Sequence, residues 1–205
     1  MKALLLKDWY VLRKQVWSYL LIVLVWGLIP SLTLNLLAVV YGAMIPYTAM
    51  AYDQRSRWDR FTRMLPYSDR TVVLSRYSLG WISLSIGAVA VAICQGVLTC
   101  LPLPAKLSAN LSPGFVFVAL CVGCLLLDLN IPLILRYGTE KARWVAIFIT
   151  FLTFASVGAL SGLVNDAKTA TAAVLSLVLP GLLALTVIAT AVSILLSLKF
   201  YRENR

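Results

Sequence analysis

Eight carboxylates, four cysteines and no histidine are the groups from which any reaction chemistry in this chain would have to be built. Without histidine there is no Ser-His-Asp arrangement, no H-E-x-x-H metal site and no imidazole proton relay. Cys121 and Cys124 form a C-x-x-C. Zinc or dithiol chemistry at that spacing asks for a second Cys pair, nearby histidine or a βαβ context, and the neighbours are apolar instead. With Cys94 and Cys100, which also sit within or at the ends of apolar runs, they read as small buried hydrophobes. No G-x-x-x-x-G-K-[ST] phosphate loop occurs, and no paired carboxylates fall together in an apolar run. No catalytic residue and no metal site is therefore expected.

Two features remain: a lone Asp128 inside an apolar run, and the stretch YDQRSRWDRFTRMLPYSDR from Tyr52 to Arg70, with eight formal charges. The elements that must position them are membrane helices. The 205 residues are 61% hydrophobic and 13% charged, with a mean hydropathy of +0.90, far from the composition of soluble domains. A formal charge of +10 would suit nucleic acid only if gathered on one face of a soluble domain. Here the basic residues lie in short clusters between apolar runs, which is a topology signal, and no nucleic-acid partner is expected.

A bilayer core takes about 20 apolar residues as a helix. Runs at about 77–101, 114–135, 144–164 and 174–198 fit one span each, while Val16 to Tyr52 is too long for one. Lys2, Lys7, Arg13 and Lys14 precede that region, and Arg55, Arg57, Arg60, Arg63, Arg70 and Arg76 follow it. If both basic flanks stay cytoplasmic, it crosses twice, about 16–33 and 36–52, through a tight turn near Pro30 to Asn35. Six spans then leave both termini cytoplasmic, and only Lys106 and Lys168 of the eighteen Lys and Arg fall outside. The first span lacks an A-x-A-like site and is read as uncleaved. The expected fold is an all-α integral membrane protein, one transmembrane domain over 1–205. Residues 1–14 are expected as an interfacial elbow helix, the alternative being a cytoplasmic extension of the first span, with Leu5, Trp9, Leu12 and the following Val16 on one stripe and Lys7 and Lys14 opposite.

Within the charged stretch, Ser56 and Asp59 match the S-x-x-[DE] helix start, and Pro66 supplies a stop. The expectation is a short amphipathic helix from Arg57 to Met64, with Trp58, Phe61 and Leu65 on one face and Asp59 paired to Arg63 at i, i+4. Taken alone, such a loop is either a solvated positive-inside segment or a docking element.

The order D-x-x-S-R-W-D-R-F-x-x-x-L-P-x-S-x-R-x-x-V-x-S-R-Y from Asp53 to Tyr77 resembles the signature of small six-span ABC-2 type permeases. Tyr137-Gly138-Thr139-Glu140-Lys141-Ala142-Arg143 is similar to the F-G-x-E-K-x-R these proteins carry, and MKALLLKDWYVLRKQ resembles their N-terminal segment. Asp69 departs from the pattern. The resemblance implies a membrane subunit of an ATP-driven exporter in a bacterial cytoplasmic membrane, with two copies of a separate ABC ATPase and a second permease protomer, identical or related. It implies no cofactor on this chain, ATP and Mg being bound by the partner. The subgroup that exports phenol-soluble modulins suggests amphipathic peptide cargo. The stretch would then be a coupling helix, with Trp58 and Phe61 as anchors and Arg57, Arg60 and Arg63 orienting. Asp53, Leu65, Arg70, Glu140 and Lys141 complete the expected partner-facing set.

Asp128 lies eight residues before Arg136, about 12 Å from the inner end of its helix. Burying it unpaired would cost about 2.5–3.5 kcal/mol, so it is expected either to line the substrate path or to pair with Arg76. Pro46, Pro132 and Pro180 are expected to interrupt spans, and Gly158 with Gly162 to allow close helix approach. The competing function is a non-transporting scaffold or sensor whose loops recruit a cytoplasmic partner.

Overall fold

The apolar runs are helical, because a backbone surrounded by hydrocarbon has to satisfy its own N–H and C=O groups. The computed structural model describes residues 2–29, 31–62, 64–65, 67–100, 113–166 and 171–203. Arg63, Pro66, Lys106, Lys168 and Arg205 lie outside the described residues, as do the side chains of Asp59 and Arg60 and the surroundings of Gly158 and Gly162. The elements are α1 (Lys2–Leu28), α2 (Leu32–Tyr41), α3 (Met44–Arg55), α4 (Trp58–Thr62), α5 (Asp69–Cys100), α6 (Pro113–Asp166) and α7 (Thr171–Glu203).

Among the described residues, five helical segments are long and apolar enough to cross a membrane: Ala3–Leu28, Thr33–Arg55, Asp69–Leu98, Val116–Thr153 and Pro180–Glu203. The second joins α2 to α3 through a tightened step, in which the N–H groups of Gly42 and Ala43 donate to the carbonyls of Val39 and Val40 at 3.0 Å. Pro46 falls in the first turn of α3, where its missing N–H has no intrahelical partner to lose, so the interruption expected there is the Gly42–Ala43 step instead. Pro132 and Pro180 do lie inside their helices. The fourth segment has 38 residues, about 57 Å of helix against a bilayer core of about 30 Å. It is broken at Gly138, whose φ of 77° and ψ of 165° are non-helical and suit a residue without Cβ.

Two boundaries differ from expectation. Residues 2–14 run without interruption into the apolar part of α1, so the structure contains no separate elbow. The third apolar helix starts at Asp69 rather than near Tyr77. Ser68 caps it, its Oγ accepting from the Thr71 N–H at 3.3 Å, and Asp69 sits in the first turn where a carboxylate suits the helix dipole.

The core is continuous across the elements. Leu12, Tyr19 and Val23 of α1 pack with Val39 of α2, Ile45 and Ala49 of α3, Ala88 and Val91 of α5 and Ala119 of α6. A second cluster places Tyr77 and Leu84 of α5 against Leu126, Leu127 and Ile131 of α6, with Ile194 and Leu198 of α7 beside them. Tyr19 is the wedge of the first cluster. It is 2% exposed, its hydroxyl donates to the Ser83 carbonyl at 3.4 Å, and a Cβ at Gly42 would stand 2.7 Å from its oxygen. A Cβ at Gly87 would overlap the same oxygen.

Gly87→Ala is therefore expected to destabilise the fold by about 1–3 kcal/mol, the usual cost of overpacking. Thermal unfolding in detergent should show it, and Tyr19→Phe in the same chain should restore part of the loss by removing the clashing hydroxyl.

Candidate functional site

The short helix α4 is the projecting end of a buried charge cluster. α3 ends at Arg55, Ser56 keeps φ −80° and ψ 0°, and Arg57 turns left-handed at φ 54° before α4 begins at Trp58. The helix expected from Arg57 to Met64 is thus shorter at both ends. Ser56 does not cap it; its hydroxyl donates back to the Asp53 carbonyl at 3.2 Å, closing α3. After Thr62 the chain continues in a turn, with the Met64 N–H on the Phe61 carbonyl at 3.0 Å and the Leu65 N–H on that of Thr62 at 3.2 Å.

The two aromatic residues of α4 have different places. Trp58 is half-buried, with Lys7 Nζ 4.8 Å from its ring centroid, while Phe61 stacks obliquely on it at 5.3 Å and is itself 52% exposed. Met64 is 82% exposed. Trp58 holds α4 to the body of the protein; Phe61, with Met64 in the turn that follows, forms an outward apolar tip.

Lys7 leads inward. Its ammonium donates to Asp53 at 2.6 Å and pairs with Asp8 at 2.8 Å. Arg76 completes the ring, its Nη1 donating to Asp8 at 3.1 and 3.3 Å and its Nη2 to the remaining Asp53 oxygen. Asp8, Asp53 and Arg76 are buried, and two acids meet two bases, so the cluster is neutral while joining α1, α3 and α5. Removing one partner of such a group leaves an uncompensated buried charge, which costs about 3–5 kcal/mol.

A second fixture lies where α6 breaks. The Gln54 side-chain oxygen accepts the Thr139 N–H at 2.8 Å and also its hydroxyl, and the Tyr47 hydroxyl donates to the Thr139 carbonyl at 3.4 Å. Ala142 is fully buried against Met50 of α3 and Ile134. Gly138 and Ala142 of the segment Tyr137 to Arg143 thus serve the bend and its packing, while Glu140 and Lys141 stay exposed.

The remaining expected site residues are scattered. Arg57 and Arg70 are exposed, Leu65 is half-buried in the turn after α4, and Arg60 lies in α4. Asp53 faces inward to Lys7 and Arg76. Asp128 is 3% exposed and neither carboxylate oxygen has a hydrogen-bond partner among the described residues. The ion pair expected between Asp128 and Arg76 is not formed, because Asp8 and Asp53 hold the guanidinium instead. Ser193 donates to the Asp128 backbone carbonyl at 2.6 Å, and the Tyr77 hydroxyl bonds Ser193 and Ser197.

Asp8 and Gln54 escaped sequence reasoning. A signal existed for the first: Leu4, Asp8 and Leu12 follow at four-residue spacing on one helix face, and both leucines are buried. Lys7, expected opposite an apolar stripe, turns into the cluster.

Long apolar helices packed on one another define a multi-pass membrane protein. A family model described as ABC-2 family transporter protein matches residues 3–202, and the chain belongs to that family: it is a transmembrane permease subunit of an ABC transporter, which implies an ABC ATPase partner. No curated protein and no solved structure matches the sequence.

Asp53→Asn is expected to lower stability by about 3 kcal/mol or more, read from thermal unfolding in detergent, with Lys7→Met adding less than its separate cost because the two share one network. Gly138→Ala should cost about 1–3 kcal/mol, because φ 77° with ψ 165° is a conformation essentially confined to glycine.

Proposed function

We propose that this permease is the membrane half of an ATP-driven exporter, crossing the bilayer six times with both termini in the cytoplasm. On this reading Gly138 divides α6 into a fourth and a fifth crossing, since 38 residues exceed one bilayer thickness. The charged segments around α4 and around Gly138 then lie on the cytoplasmic side, where basic residues are retained.

One observation carries the assignment of α4 as the coupling helix. Its outer tip, Phe61 and Met64, is exposed, while Trp58 at its root is held by Lys7 and through it by Asp53, Asp8 and Arg76. An aromatic and a methionine side chain make a suitable anchor for a cleft on the ATPase, and Arg57 beside them, with Arg60 and Arg63 in sequence, suits acidic groups at its rim. Motion of the ATPase would enter at the tip and pass through the ion cluster to α1, α3 and α5. Two permeases and two ATPases would complete the machine, with ATP and Mg on the ATPase.

The cargo of this proposal is an amphipathic molecule such as a peptide. Asp128 supports an intramembrane path, since a buried carboxylate without a partner at that depth is costly unless it meets something during the cycle.

The test is co-purification of the chain with its ATPase. A Phe61→Ala, Met64→Ala double variant is expected to bind the ATPase at least tenfold more weakly while its own melting temperature stays unchanged, whereas Trp58→Ala lowers both. Undiminished binding by the tip variant would overturn the assignment of α4.

A further inference from the structure

A cavity of about 1000 Å³ lies between the end of α3 and the segment after the Gly138 break. Arg55, Lys141 and Arg143 border it, against the single carboxylate of Glu140. Several other cations are engaged: Lys7 and Arg76 in the buried cluster, Lys199 with Glu203, Arg202 with Asp69, and Arg136 over the rings of Tyr137 and Phe200, while Arg13, Lys14, Arg57 and Arg70 are exposed and do not line the cavity. Among the described residues, Arg55, Lys141 and Arg143 have no carboxylate within ion-pair distance. The cavity therefore carries an excess of uncompensated positive charge.

Its walls are of two kinds. The Tyr47 hydroxyl is committed to the Thr139 carbonyl, which leaves the ring as an apolar surface, and Trp144, 77% exposed, opens the apolar run that continues through Ile147. A tryptophan at the junction of a charged segment and an apolar helix sits at headgroup depth. One side of the cavity thus faces charged chain ends and the other faces hydrocarbon.

We propose that this cavity binds the anionic headgroup of a phospholipid from the adjoining leaflet, the three cations holding the phosphate and the tail lying along Trp144 and Ile147. Basic pockets between membrane helices recognise phosphate-bearing lipid heads in this way, and two or three donors can share one phosphate. The bound lipid would brace the break at Gly138 against α3, making the angle between the two parts of α6 sensitive to the lipid present. The proposal rests on the membrane setting of the chain and not on the ATPase contact.

The test is native mass spectrometry of the full chain in detergent, titrated with lysophosphatidylglycerol, lysophosphatidylcholine and glycerol 3-phosphate. Wild type is expected to retain the glycerol lipid in preference to the choline lipid, and glycerol 3-phosphate far more weakly than either. Arg55→Gln, Lys141→Gln, Arg143→Gln should lose roughly a hundredfold, about fivefold per cation, while Arg13→Gln, Lys14→Gln, outside the cavity, loses little. Lys141→Gln alone, an exposed change, should give its fivefold share even if the triple variant folds poorly. Equal affinity for the two lipids, no loss in Lys141→Gln, or equally tight binding of glycerol 3-phosphate would each overturn the proposal. No ATPase is present, so such a result would leave the coupling assignment of α4 untouched.

Discussion

Three buried charges and the partly exposed Lys7, meeting at one point, constrain the rest of this fold. Asp8 and Asp53 would be prohibitively expensive to bury singly, and so would Arg76. Together with Lys7 they cancel, but only while α1, α3 and α5 stay in register to within a hydrogen-bond length. A packed apolar interface tolerates sliding by fractions of an ångström; a buried ion ring does not. The cluster is the point at which three membrane helices behave as one body, and the cation–π contact of Lys7 with Trp58 attaches α4 to that body.

The second constraint is the break at Gly138. Gln54 and Tyr47, both on α3, fix the backbone on its far side through Thr139. Asp53 and Gln54 are adjacent in sequence, so the last turn of α3 serves both fixtures. It grips the ion cluster through one residue and the bend of α6 through the next. Movement imposed on α4, directly downstream of that turn, has a short covalent and packed route to most of the bundle. Asp128 lies deeper, beyond the Tyr77, Ser193 and Ser197 hydroxyls, whose bonds with one another and with the Asp128 carbonyl leave its carboxylate unpartnered.

Much of this was legible in the residues. Long apolar runs dictate helices, and the short helix around Trp58 follows from charge placement and local motifs; the turn expected near Pro30 to Asn35 is displaced, since α2 already runs from Leu32. The motif around Gly138 was visible as a family resemblance, but its physical role, a positive-φ bend with a buried alanine four residues on, needs coordinates. Charge partners were the main failure. Of the two alternatives for Asp128, the pairing with Arg76 rests on depth along two helices, an argument blind to rotation about the helix axes and to a third helix carrying Asp8. Likewise Trp58 and Phe61 share a face by spacing, and only packing against Lys7 separates the inner residue from the outer one. The elbow expected over residues 1–14 is not seen as a separate element for a related reason: amphipathic spacing describes a face, and α1 continues through the point where composition changes.

The central claim is that α4 is fixed to the membrane helices through Lys7. The most direct measurement is pulsed electron–electron distance spectroscopy between spin labels at Met64, after α4, and Ser85, on α5, in the purified chain. The account predicts one narrow distance distribution in otherwise wild-type protein and a clearly broadened one in Lys7→Met. A distribution already broad in wild type, or one that Lys7→Met leaves narrow, would contradict it.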